Sequence, residues 1–195
     1  MKILGLTGGI GMGKSTAAAA FRRARIPVFD ADAAVHQMQA RGGRAVRAIE
    51  AAFPGTVREG AVDRAALRHE VLGKPDALKR LEGILHPMVL QEERNFVARA
   101  RRHGNRVAVL DIPLLFETGG DRRVDQVIVV TAPPSVQMQR IRARRRMSDA
   151  DIRAVIARQM PDAEKRRRAD RVIKTGLSRY YSLKALTRLI RETLA

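Results

Sequence analysis

MKILGLTGGIGMGKST, residues 1–16, sets a short apolar run against a glycine-rich turn that opens into an alanine-rich stretch. Residues 2–7 are apolar, bounded by glycine and far too short for a helix, so they read as a buried strand. Ser15 to Arg25 reads as a helix that ends before Pro27, because the residue preceding proline avoids the helical region. PVFD (27–30) supplies a second short strand. A strand, a helix and a strand in that order make a βαβ unit, which implies a parallel sheet with a right-handed crossover.

Downstream the pattern changes twice. From about Ala33 to His103 the strand signal disappears, and Val46, Ile49 and Phe53 recur at helical spacing, as do Leu78, Leu81 and Leu85. FPGTVREGAVD (53–63) reads as a loop by its proline and glycine content, and His86-Pro87 reads as a kink or a new helix start. Strands return at RVAVLDI (106–112), QVIVVTA (126–132) and RVIKT (171–175). Residues 135–160 read as helix broken near Arg144–Asp149, with Ser148 and Asp151 fitting a capping signal for the second piece. A last helix places Leu183, Leu186, Leu189 and Ile190 on one side. The whole predicts an α/β fold: a doubly wound parallel five-stranded sheet interrupted by a helical insertion.

Composition narrows the chemistry. The 195 residues carry no cysteine, which excludes disulfides, thiolate metal sites and thiol nucleophiles. Lys and Arg number 38 against 20 Asp and Glu, a net charge of +18 that suits nucleic acid, acidic membrane or polyphosphate and does not choose among them. Twelve basic and five acidic residues fall between Arg140 and Arg171. Five Phe and two Tyr make a poor stacking surface for single-stranded nucleic acid, so no nucleic-acid partner is expected. No run approaches the roughly 18 apolar residues of a membrane span, and the N-terminus lacks a secretory pattern, so a cytoplasmic protein is expected.

Gly8-Gly9-Ile10-Gly11-Met12-Gly13-Lys14-Ser15, followed by Thr16, matches G-x-x-x-x-G-K-[ST] in full, after a strand and at the start of a helix. In such a P-loop, backbone N–H groups and the helix dipole converge on phosphate, the lysine reaches the outer phosphates, and the hydroxyl ligates Mg²⁺. Asp30 and Asp32 close the second strand, where side chains two apart share a face toward the sheet's mouth. Asp32 fits either a base for an attacking hydroxyl or an N-cap for a helix starting at Ala33, and spacing leaves both open. Asp111, after the run VAVL, fits a metal-side acid, a weak signal that any acid after a strand would give. Histidines 36, 69, 86 and 103 show no metal-binding spacing.

LTGGIGMGKST followed by FDAD resembles the dephospho-CoA kinase family, P-loop enzymes that complete coenzyme A synthesis. The resemblance continues, in the family's order, through His86-Pro87, Pro113-Leu114-Leu115-Phe116-Glu117, Gln137 with Arg140, Gln159 and Ala169-Asp170-x-Val172-Ile173. It implies a nucleotide-binding core over 1–32 and 106–195, a helical CoA-binding insertion over 33–105 and a lid over 140–160. It implies transfer of the ATP γ-phosphoryl group to the ribose 3′-hydroxyl of dephospho-CoA, giving CoA and ADP; a monomer or weak homo-oligomer is expected. Asp32 is then the base, Lys14 and the lid residue Arg140 contact phosphates, Ser15 holds Mg²⁺, and His86, Pro87 and Leu115 shape the acceptor pocket. Two departures stand out. Thr175-Gly176 replaces the Asn-Gly of many members near the last strand, and Met12 stands where a small residue is frequent, which the loop tolerates if that side chain points outward. Rival readings are another small-molecule kinase, acting on a nucleotide, nucleoside or sugar acid, and a nucleic-acid-binding P-loop ATPase.

Overall fold

Lys2–Thr7 forms β1, the central strand of the sheet, because both of its edges are paired and its interior residues are apolar. The computed structural model describes residues 1–145, 149–157 and 159–194. Three further strands are β2 (Val28–Asp30), β5 (Val107–Asp111) and β6 (Gln126–Thr131); with β7 (Arg171–Lys174) they give the order β2-β5-β1-β6-β7. β1 runs parallel to β5 and β6, and β6 runs parallel to β7. The strand reading from sequence is borne out for all five.

Alternate side chains decide what each face of the sheet does. Leu4, Leu6, Val107, Val109, Ile128, Val130 and Ile173 are buried together with Phe21 of α1 (Lys14–Arg23) and with Leu186, Leu189 and Ile190 of α9 (Arg179–Leu194). On β1 the next face is cut back at Gly5, where a Cβ would stand 2.8 Å from Leu115 Cδ2. Leu115 also covers Gly120, whose Cβ would stand 2.7 Å from its Cδ1. This corrects the expectation that Leu115 lines an acceptor pocket: the side chain is 0% exposed and belongs to the core, whereas Leu114 is 39% exposed.

Met12 also departs from expectation. Its side chain turns inward, joins the same core and receives the Ala132 N–H on Sδ at 3.0 Å. An unbranched thioether fits an irregular gap that a branched side chain would not.

The chain divides into two compact units, Met1–Phe29 with Arg99–Ala195, and Asp30–Ala98. The second contains α2 (Ala31–Gln39), α3 (Val46–Ala52), α4 (Arg64–Val71) and most of α5 (Pro75–Arg102). The expected loop 53–63 holds a small antiparallel hairpin, β3 (Val57–Arg58) and β4 (Ala61–Val62), whose turn residues Glu59 and Gly60 have φ of 50° and 78°. Positive φ at both turn positions matches the twist of a two-stranded ribbon. α5 runs through His86-Pro87 without ending there. Just past Pro87, Arg44 braces it, donating from Nη2 to the Met88 carbonyl at 2.6 Å and pairing through Nη1 with Glu92 at 3.1 Å.

Late in the chain α6 (Pro134–Arg145) and α7 (Asp149–Ala157) flank the expected break; Arg146 and Ser148, with the capping role expected of the latter, lie outside the described residues. Arg142 binds the Asp149 carboxylate through Nε at 2.8 Å and Nη2 at 2.5 Å, and that hydrogen bond holds the Asp149 carboxyl below the usual range. The contribution of this exposed pair is present above ordinary carboxylate pH and lost as pH falls through the depressed value. A further helix, α8 (Asp162–Arg168), was not expected, since DAEKRRR shows no apolar stripe. Among the described residues no helix is long and apolar enough to cross a membrane.

Leu115→Ala should lower unfolding stability in urea by about 2–5 kcal/mol, the range for a buried leucine that leaves a cavity. Leu114→Ala should change it by no more than about 0.5 kcal/mol, as surface substitutions do.

Candidate active site

The glycine-rich turn joins the carboxyl end of β1 to the first turn of α1, and two of its glycines are required by geometry. Gly11 has φ 76° and would place a Cβ 2.8 Å from Ile141 Cγ1; Gly13 has φ 94° and would place one 3.1 Å from Thr175 Oγ1. An L side chain would meet both backbone strain and a neighbour at each position. Thr16 and Ala17 donate back to the Gly13 carbonyl at 3.1 and 3.3 Å, which starts the helix. Among the described residues the amides of Gly11, Gly13, Lys14 and Ser15 donate to no protein acceptor. Unpaired amides at a helix N-terminus, with the dipole behind them, make an anion site.

Lys14 and Asp111 meet at this hollow. Asp111 ends β5, in register with Leu6, and its side chain is only 3% exposed. Lys14 Nζ donates to its Oδ1 at 2.5 Å. A buried carboxylate needs a cation or several donors, and Lys14 supplies the cation. The weak sequence signal at Asp111 thus becomes a definite one: its carboxylate stands beside the loop lysine.

Thr175, directly after β7, ties three elements together. Its hydroxyl donates to the Met12 carbonyl at 2.7 Å, and its amide donates to the Thr131 carbonyl at 2.8 Å. Arg140 donates to the Thr175 hydroxyl at 3.0 Å, to its carbonyl at 2.6 Å and to the Gly11 carbonyl at 3.4 Å. Arg140 was expected to reach the phosphates from a closing lid. In the structure it is already bonded to the core beside the loop, because these carbonyls satisfy its guanidinium.

Gln137 Nε2 donates to the Ile10 carbonyl at 2.8 Å, and Ile10 N–H donates to Gln159 Oε1 at 3.1 Å. Glu117 Oε1 accepts from the Met160 amide at 2.8 Å and pairs with Lys165 Nζ at 2.8 Å. Lys165 is 1% exposed, although it stands in the run KRRR that reads as a solvated face. No signal in the sequence singles it out.

Asp32, His86 and Pro87 belong to the Asp30–Ala98 unit. There α2 starts at Ala31, two residues earlier than expected, which moves the cap from Asp32 to Asp30: the Asp30 carboxylate accepts the Ala33 N–H at 3.0 Å. The capping reading of Asp32 is therefore overturned. Asp32 lies in the first turn, exposed, with no hydrogen bond or ion pair among the described residues. His86 and Pro87 are exposed on α5.

Mg²⁺ can be tested against these donors. Among the described residues no three acids or histidines cluster as a metal cage. Mg²⁺ needs none where phosphates and water complete its shell, and one buried acid with one exposed hydroxyl, Asp111 and Ser15, fits that habit.

A family model described as dephospho-CoA kinase matches residues 2–178. A dephospho-CoA kinase of Rhodopseudomonas palustris is 55% identical over 194 residues, which span 100% of this chain and 94% of that protein. Another, of Paramagnetospirillum magneticum, is 61% identical over 166 residues, 85% of this chain and 78% of that protein. A protein of Thermus thermophilus with a solved crystal structure superposes with a TM-score of 0.83 at 36% identity, covering 98% of this chain and 97% of that one.

Asp30→Ala should cost about 0.5–2 kcal/mol of stability through the lost cap. Asp32→Ala should leave the thermal midpoint essentially where it is, and differential scanning calorimetry separates the two.

Proposed function

The chain belongs to the dephospho-CoA kinase family, and on that premise we propose that it transfers the γ-phosphoryl group of ATP to the ribose 3′-hydroxyl of dephospho-CoA, releasing CoA and ADP. The observation that carries this reading is the set of unpaired amides of Gly11, Gly13, Lys14 and Ser15 in the glycine-rich turn, beside the Lys14–Asp111 pair. ATP is the phosphate donor of the family.

Binding comes first. The triphosphate takes the free amides, and Lys14 exchanges its carboxylate partner for phosphate oxygens. Phosphoryl transfer asks little covalent work of the protein, so position and charge supply most of the acceleration. Ser15 and Asp111 are the residues that would hold Mg²⁺, directly or through water, and the ion would neutralise charge on the phosphate oxygens. Arg140 adds positive charge from beside the loop, anchored on Thr175 and Gly11.

Asp32 is the proposed base. Its carboxylate has no capping duty and no partner among the described residues, so it is available to orient the 3′-hydroxyl and take its proton. The hydroxyl oxygen bonds to the γ-phosphorus as the bond to the β–γ bridging oxygen breaks, and that electron pair leaves with ADP. The Asp30–Ala98 unit supplies the acceptor-binding residues, His86 and Pro87 among them, while the segment 140–160 serves as a lid that excludes water. We assign the reaction to the cytoplasm and to a monomer or weak homo-oligomer.

Incubation with ATP and dephospho-CoA should give a product heavier by one phosphoryl group, identified as CoA by mass spectrometry. Phosphorylation of a nucleoside, nucleotide or sugar acid in its place would favour another kinase activity. Asp32→Ala should lower kcat by about 10²–10⁴-fold, the range for a lost general base, with the Kd for ATP little changed. Lys14→Met should cost about 10²–10³-fold in kcat, as lost electrostatic stabilisation does.

A further inference from the structure

One residue of the loop has both of its backbone polar groups tied by side chains. Ile10 directly precedes Gly11, the first of the residues whose amides are unpaired, and its carbonyl receives Gln137 Nε2 while its N–H donates to Gln159 Oε1. The chemistry fixes which amide atom faces which way, since a carbonyl only accepts and an N–H only donates. Both side chains crowd the preceding residue. A Cβ on Gly9 would stand 3.3 Å from Gln159 Oε1 and 3.5 Å from Gln137 Nε2, so both amide ends lie against this residue.

The two glutamines are themselves held. Gln137 is 6% exposed in the first turns of α6, where its amide donates to the Pro133 carbonyl at 3.0 Å. Gln159 precedes Met160, whose amide is fixed on Glu117, which in turn pairs with buried Lys165. A buried ion pair is costly unless its geometry is good, and here it anchors the backbone next to Gln159.

From this arrangement we infer that Gln137 and Gln159 are positioning residues for the nucleotide loop, the first acting only as a donor and the second only as an acceptor. The inference rests on the kinase reading. By satisfying the N–H and the carbonyl of Ile10, they fix the two peptide planes that flank this residue, and they hold the curve of the loop before any nucleotide arrives. A loop preorganised in this way binds its anion without a fresh ordering cost. Gln137 lies three residues before the segment 140–160 and Gln159 near its end, so the loop's shape depends on both flanks of that segment being docked.

The division of labour gives a test in which size and charge are matched. Gln137→Glu and Gln159→Glu each replace an amide by an isosteric carboxylate and add one negative charge. Gln159→Glu still offers an acceptor to the Ile10 N–H, whereas Gln137→Glu sets an acceptor against the Ile10 carbonyl. Both variants, with Gln137→Met as an uncharged second variant should Gln137→Glu fail to fold, are assayed for KM of ATP and for kcat with dephospho-CoA. Amide hydrogen exchange over residues 8–12 is followed in the nucleotide-free proteins. Gln137→Glu or Gln137→Met should raise the KM for ATP about tenfold above that of Gln159→Glu, the size of one lost hydrogen bond, with the smaller part of the loss in kcat. Exchange over 8–12 should accelerate in the variants at 137 and stay near wild type in Gln159→Glu. Equal KM values and equal exchange for the two glutamate variants would overturn the inference. Failure of the kinase reading shows separately, as wild-type protein that does not phosphorylate dephospho-CoA.

Discussion

Asp111 cannot keep its charge at the end of a buried strand without a cation, and Lys14 meets it at 2.5 Å. That constraint organises the site. β5 must carry the acid next to β1, β1 must end where the glycine turn begins, and α1 must start so that its lysine falls back over the sheet. The ion pair is also a poised state: the same lysine that neutralises Asp111 serves phosphate once an anion competes for it. An anion offers Lys14 more oxygens than one carboxylate does, and the free amides add what the carboxylate cannot.

The loop around this pair is held from behind by side chains packed and bonded against it. Met12 is sunk in the core, Thr175 fastens the Met12 carbonyl to the last strand, and Arg140 fastens Thr175 to Gly11. The Thr175 hydroxyl and its backbone groups supply the bonds that knit β6, β7 and the loop. Inward Met12 has a parallel logic, since a larger side chain at that step is tolerated by burying it rather than by exposing it.

Much of this was legible before any coordinates. Buried strands announce themselves as short β-branched runs, and the G-x-x-x-x-G-K-S stretch fixes strand, turn and helix at once, so the parallel core followed from residues 2–30 and 106–132. The hairpin at 57–62 escaped because two-residue strands are too short to show alternation, and α8 escaped because its charged run hides a single buried lysine. Leu115 was read by its neighbours in the motif rather than by its own burial, which depends on Gly5 and Gly120 lying beneath it in the fold. The two readings of Asp32, base or cap, turned on a helix that starts at Ala31 rather than at Ala33, a boundary that local propensity does not fix. The glutamine contacts to Ile10 join residues more than a hundred positions apart, and no local pattern records them.

The central claim is that the amides ahead of the first helix clasp the donor's phosphates and that Lys14 leaves Asp111 to join them. A crystal structure with a non-hydrolysable ATP analogue addresses it most directly. The account predicts phosphate oxygens within hydrogen-bond distance of the Gly11, Gly13, Lys14 and Ser15 amides, with Lys14 Nζ turned from Asp111 onto the phosphates. A nucleotide bound elsewhere, with the Lys14–Asp111 pair intact, would contradict it.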